Sequence, residues 1–167
     1  FRNDAKLVRR DVLSVIDQTQ RLEFQERRTR KIKQACKAAL TISHSTDYEG
    51  FWKILSGNLL ARYGVKPVHS LEEIILLHNH FADNIRLHLC SDATGILAGV
   101  VMYLSGHVAH VQYISASEAG KDIGALDMLF DQLINTVYPQ YRYFDFGSST
   151  EQAGRQLNNG LVEQKEG

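Results

Sequence analysis

The stretch HVAHVQYISASEAGKDIGALDMLFDQLINTVYPQYRYFDF, residues 107–146, decides the fold. It opens on a strand, Val108–Ile114, of alternating side chains. Ser117 then caps a helix running to Val137, with Ile123, Leu126, Phe130, Leu133, Ile134 and Val137 on one face. Pro139 stops that helix, and Tyr141–Phe146 reads as a second strand. Strand, helix and strand within about 40 residues imply a crossover connection and a locally parallel pair.

Upstream, Ile85–Cys90 and Ile96–Leu104 are strands joined by the turn Asp92–Gly95, and Ser105–Gly106 turns the chain into Val108–Ile114. Three strands with two short turns form an antiparallel meander. A meander feeding one parallel crossover gives a mixed, mostly antiparallel sheet flanked by helices, an α/β fold of the α+β type. Leu40–Ser45 adds a strand, and Asp47 caps a helix carrying Tyr48, Phe51, Trp52, Leu55 and Leu59. Gly64–Pro67 is a loop, and Ser70 with Glu73 forms a capping box for the next helix.

The first 39 residues read as two helices. Residues 5–19 place Val8, Val12, Val15 and Ile16 at helical spacing, and residues 23–39 do the same with Phe24, Ile32, Ala35, Cys36 and Ala39. In the second helix Arg27, Arg30, Lys31, Lys33 and Lys37 fall mostly opposite the apolar stripe. The organisation expected is a helical segment over 1–39 and one domain over 40–167.

Composition narrows the class. The chain of 167 residues is 44% hydrophobic and 23% charged, the balance of a globular protein. No apolar run approaches the roughly 20 residues of a membrane span, and no signal-peptide pattern opens the chain, so a cytoplasmic protein with no membrane partner is expected. Cys36 and Cys90 lack metal-ligand spacing, and no metal is expected. Net charge is zero, yet residues 1–37 carry 11 Lys/Arg against 5 Asp/Glu, which points to a basic surface. The chain begins at Phe1 and stops at Gly167, and both ends read as cuts in a longer polypeptide.

Four segments can carry chemistry. In SASEAGKDIGA, residues 115–125, a helix N-terminus, Gly120, Gly124 and the cation of Lys121 suit a pyrophosphate. In the strand before it, His110 is a candidate general base and Tyr113 a candidate acid, although regular alternation points them to opposite faces unless a bulge re-aims one. Asp145 lies near the end of the second parallel strand, on the face of Tyr143, where a carboxylate orients a base or accepts a proton. Lys165 and Glu166 are within reach of a ligand but read more simply as surface charge.

The strands AGVVMYLSG and HVQYIS, the helix GKDIGALDMLFDQLI and the segments YFDFGSSTE and GRQLNNGLVEQKEG resemble the GNAT acyltransferase superfamily, and within it the relatives of Fem-type aminoacyltransferases. RRTRKIKQACKAALTI resembles the basic helix that leads into the second GNAT-like unit of such proteins. The resemblance covers residues 25–167 and implies a domain over 40–167 whose final strand lies beyond Gly167. It also implies an acyl-CoA co-substrate, acetyl-CoA or another, between Val108–Ile114 and Tyr141–Phe146. Ile114, Ser115, Gly120, Lys121, Gly124 and Ala125 would hold it. The family's Q/R-x-x-G-x-G/A turn is altered here, because Ala119 stands for the Gln/Arg and Asp122 for the first Gly.

The expected function is therefore acyl transfer from acyl-CoA to an amine of a small molecule or peptide, with His110 or Asp145 as base and Tyr113 as acid. One alternative is a Fem-like transferase using aminoacyl-tRNA held by the basic face of residues 27–37. The other is a GNAT-like binding module without catalysis.

Overall fold

The computed structural model describes residues 6–152 and 154–166. Its centre is a six-stranded sheet in the order β1-β6-β5-β4-β3-β2. These strands are β1 (Leu13–Asp17), β2 (Thr41–Ser45), β3 (Ile85–Asp92), β4 (Gly95–Ser105), β5 (Val108–Ala116) and β6 (Tyr143–Ser148). Every neighbouring pair is antiparallel except β5 and β6, which run parallel as the crossover requires.

Helices cover both faces. On one side lie α1 (Glu26–Ala35), α4 (Glu118–Ile123) and α5 (Ala125–Gln132), the last continued by a π-helical turn over Leu133–Val137. On the other lie α2 (Tyr48–Tyr63) and α3 (Leu71–His80). The core is accordingly split in two. Val100, Met102, Val111, Leu129, Leu133 and Phe144 pack beneath α5, whereas Phe51, Trp52, Ile74, Leu87, Leu89 and Val101 pack beneath α2 and α3. Beyond β6 follow a small hairpin of β7 (Thr150–Glu151) and β8 (Gln156–Leu157) and then α6 (Asn159–Glu166).

Local signals account for the helix ends. Asp47 accepts from the Gly50 N–H to start α2, and Gly64 ends it at φ 65° in the left-handed region. Ser70 and Glu73 form the capping box of α3 in both directions.

Two expectations need correction. The segment 5–19 was expected to be helical, but Leu13–Asp17 forms β1, antiparallel to β6, with Val15 opposite Asp145. The β-branched side chains of Val12, Val15 and Ile16 fit a pleated edge, and pairing along β6 outweighs the helical spacing. The sheet thus draws one of its strands from the segment expected to stand apart as helices. The helix expected over 117–137 is also broken. Gly124 sits at φ 80°, closing α4 and opening α5.

A buried histidine gives the fold a pH signature. His88 on β3 lies beneath the α5 layer with its Nε2 hydrogen bonded to the Tyr138 hydroxyl at 2.7 Å. Burial, aided by His44 and Arg86, pushes its pKa from 6.5 down to about 4. As pH falls through that window the unfolded chain takes up a proton that the folded chain refuses. Stability should be complete above pH 6.5 and decline toward pH 4, by up to about 3 kcal/mol. Thermal unfolding across this range tests it. His88→Gln should flatten the dependence, and a wild-type profile already flat there would refute the assignment.

Candidate active site

β5 and β6 stay paired only over Val108↔Tyr143, Ala109↔Phe144 and His110↔Asp145. Beyond that register they part. At the last shared position His110 Nδ1 lies 2.7 Å from Asp145 Oδ2. The carboxylate's other oxygen accepts the Gly147 N–H at 2.8 Å. Asp145 is nearly buried and His110 about one-third exposed. A carboxylate only accepts, so Nδ1 carries the proton and Nε2 keeps its lone pair for an incoming group. His110 and Asp145, expected as alternative bases, are thus joined in one hydrogen-bonded unit.

Gly147 makes the parting of the strands possible. It stands at φ 75°, and β6 gains one residue against β1 between Asp145 and Ser148. A left-handed glycine in such a bulge turns β6 away from β5. A Cβ there would stand 3.4 Å from His110 Cε1, so the turn abuts the imidazole.

A second bulge re-aims Tyr113. Val101 pairs with Tyr113 and Met102 with Val111, leaving Gln112 as the extra residue in β5. Regular alternation places Tyr113 beside Val111. Instead Tyr113 joins the α2–α3 cluster, on the side of Tyr103, the cross-strand partner of His110. Ile114 turns the other way, beside Val111 in the cavity under α5. Tyr113 packs edge-on against Trp52, with ring centroids 5.0 Å apart. Its hydroxyl accepts the backbone N–H of His69 and shares a 2.6 Å hydrogen bond with His69 Nδ1. Nothing in the sequence marked His69, because the loop that brings it to β5 is positioned only by the packing of α2 and α3.

The large cavity lies on the α5 side of the sheet, with a volume of about 740 Å³. Its apolar wall includes Val111, Ile114, Phe130 and Phe146, and Lys165 of α6 reaches its rim. Lys165 Nζ donates to the carbonyls of Ser148 at 2.7 Å and Gly147 at 3.1 Å. An ammonium has three N–H donors, which leaves one for a ligand. Burial lowers the Lys165 pKa, and the Asp145 carboxylate partly offsets this. Lys165 is therefore a half-buried cation bonded to β6 at the edge of the cavity, not a freely solvated surface charge. The Glu166 side chain lies outside the described residues.

The expected pyrophosphate turn has a different environment. Gly120 is buried and its N–H bonds the Ser117 hydroxyl. A Cβ on it would come within 2.1 Å of the Leu97 carbonyl, so this glycine allows α4 to touch β4. Gly124 is packed against the main chain of Lys31, and Ala125 is fully buried. Ser115 is buried, and its hydroxyl accepts from Asn58. Of the six residues expected to hold the cofactor, Ile114 borders the cavity and Lys121 is exposed in an ion pair with Glu118. The other four face protein. Small residues at a turn cannot reveal from sequence whether a ligand or a neighbouring helix fills the space beside them.

Among the described residues, no cluster of three or more His, Cys, Asp or Glu could hold a metal, and no helix is long and apolar enough to cross a membrane.

Comparison with known proteins agrees with this architecture. FemX superimposes with a TM-score of 0.69 at 12% identity, over 92% of this chain and 57% of that one. L-PGS from Bacillus licheniformis does so with a TM-score of 0.65 at 14% identity, over 93% and 55%. The C-terminal domain of a putative lysylphosphatidylglycerol synthetase from Agrobacterium fabrum gives 0.60 at 13%, over 83% and 47%. This chain thus spans about half the length of each, and at such identities the likeness concerns the fold. No curated protein sequence matches the chain significantly. A family model of the acetyltransferase (GNAT) domain, however, matches residues 24–153, most of the chain. With its mixed sheet and one parallel pair that parts at His110 and Asp145, this chain belongs to the GNAT acetyltransferase-domain family.

Proposed function

We propose that this chain transfers an acyl group from an activated carbonyl donor, acyl-CoA in the first reading, to a primary amine of a small molecule or peptide. The observation that carries this reading is the His110–Asp145 pair at the fork of β5 and β6, with a cavity opening on one side. The donor's acyl arm lies along Val111, Ile114 and Phe146 in that cavity. The amine attacks the carbonyl carbon from the His110 side. A C–N bond forms, the amine proton passes to His110 Nε2, and Asp145 balances the imidazolium charge. As the tetrahedral intermediate collapses, the bond from carbon to the donor's sulfur or oxygen breaks. The Lys165 ammonium stabilises the negative charge that develops on the donor side. Tyr113 lies on the opposite side of the sheet from the cavity, so its role is to shape the amine side rather than to protonate the leaving group.

A second reading rests on a separate observation. The turn meant for pyrophosphate buries Gly120, Gly124 and Ala125 and is flanked by Asp122 and Asp127, which favours an aminoacyl ester, as in a Fem-like use of aminoacyl-tRNA. The exposed Arg27, Arg30, Lys33 and Lys37 of the first helix and its C-terminal flank would then meet RNA phosphates. Binding to tRNA should fall steeply as salt rises, and a salt-independent affinity would eliminate this option.

Turnover measured by mass spectrometry of acylated amines tests the dyad. His110→Ala should lower kcat by about 10²–10⁴ with an unchanged unfolding temperature. A variant that keeps its turnover would remove His110 from the chemistry. Lys165 gives a second signature. Because its folded pKa is lowered, its charge is lost below the usual lysine range, and the alkaline limb of activity should begin there. Lys165→Arg should retain activity on that limb; an identical profile in the variant would argue against a role for the ammonium.

A further inference from the structure

We infer that α1 determines which donors this chain accepts, because it occupies the outer side of the α4–α5 turn where a nucleotide pyrophosphate would rest. The inference rests on the proposal that the donor enters between β5 and β6. It then specifies which part of a donor can be bound there.

The first amides of a helix make no intrahelical bond and point outward, which by itself favours an anion at the start of α5. Three arrangements remove that option. The first is steric. The Lys31 carbonyl oxygen stands 3.1 Å from the Cβ position of Gly124, and Lys31 Cβ stands 3.4 Å from it, so the main chain of α1 rests on the turn. Gly124 and Ala125 are both buried.

The second is electrostatic. Asp127 in the first turn of α5 supplies the negative charge that this helix end favours. Arg28 pairs with that carboxylate at 2.7 Å, with both side chains largely buried. A pyrophosphate would meet Asp127 and Asp122 at close range and would compete for Arg28.

The third is a set of anchors. Lys31 Nζ and Gln34 Nε2 both donate to the Asp122 carbonyl, at 3.1 and 3.4 Å. Arg28, Lys31 and Gln34 follow one another at three-residue steps, which sets them along one side of α1. That side is clamped across the turn from Asp122 to Asp127.

A donor can therefore enter with its acyl arm while its carrier gains nothing from the turn. Two measurements on the full chain test this. Calorimetric titration compares CoA with pantetheine, which shares the thiol arm and lacks the nucleotide. Comparable affinities are expected, and CoA binding more tightly by about tenfold or more, with amides 120–127 protected by CoA, would overturn the inference. Hydrogen exchange then asks whether α1 is the cover. In Arg28→Ala/Lys31→Ala/Gln34→Ala, with helical content retained, amides 125–127 should exchange about tenfold faster than in the wild type. Unchanged exchange would also overturn it. If neither CoA nor pantetheine binds, the acyl-CoA reading fails, while the exchange result still decides the role of α1.

Discussion

The hydrogen bond between His110 and Asp145 closes the last shared position of the one parallel strand pair, and the geometry of the site depends on where that pairing ends. Parallel strands that stay paired leave no opening between them. Here Gly147 adopts a left-handed conformation immediately after Asp145, and its N–H is held by that same carboxylate. One side chain therefore orients the imidazole and fixes the bulge that separates the strands. The carbonyls freed around the bulge, at Gly147 and Ser148, are the ones that Lys165 binds. The His110–Asp145 contact, the opening and the Lys165 contacts all meet at one local departure from sheet geometry.

The two bulges act together. The one at Gln112 reverses the alternation of β5, sending Tyr113 toward α2 and α3 and Ile114 toward the cavity. His110, Tyr113 and the His69 loop thereby lie on the α2–α3 side of the sheet, and Ile114, Phe146 and Lys165 border the cavity on the α5 side. On the α2–α3 side, Tyr48, Trp52 and Tyr103 each bury a polar atom that has no hydrogen-bond partner among the described residues.

The architecture was readable where local chemistry and tertiary packing agree. Pro139 after a periodic helix, two short turns in the meander and the Ser70–Glu73 box all act within a few residues. The strand at Leu13–Asp17 was not readable, because its partner lies about 130 residues away and its short apolar pattern also suits a helix. The site divides in the same way. His110 and Asp145 are singled out by residue type and position in their strands, but the hydrogen bond that joins them depends on the register of β5 against β6. His69 and the bulge at Gln112 depend on contacts between distant segments, and no local pattern announces them.

The turn after β5 shows why motif spacing alone cannot assign a ligand. Gly120 and Gly124 stand where backbone must approach something closely, and that much follows from their lack of a Cβ. What approaches is the Leu97 carbonyl at one and the Lys31 main chain at the other. Asp127, which would repel a phosphate, is then a favourable residue, since it meets both the positive end of α5 and the Arg28 guanidinium. The basic character of α1 is thus divided by face: Arg28 and Lys31 bond to the α4–α5 segment, and Arg27, Arg30 and Lys33 remain exposed. A charge count over residues 1–37 treats these groups alike, and only the packing of α1 on α5 separates them.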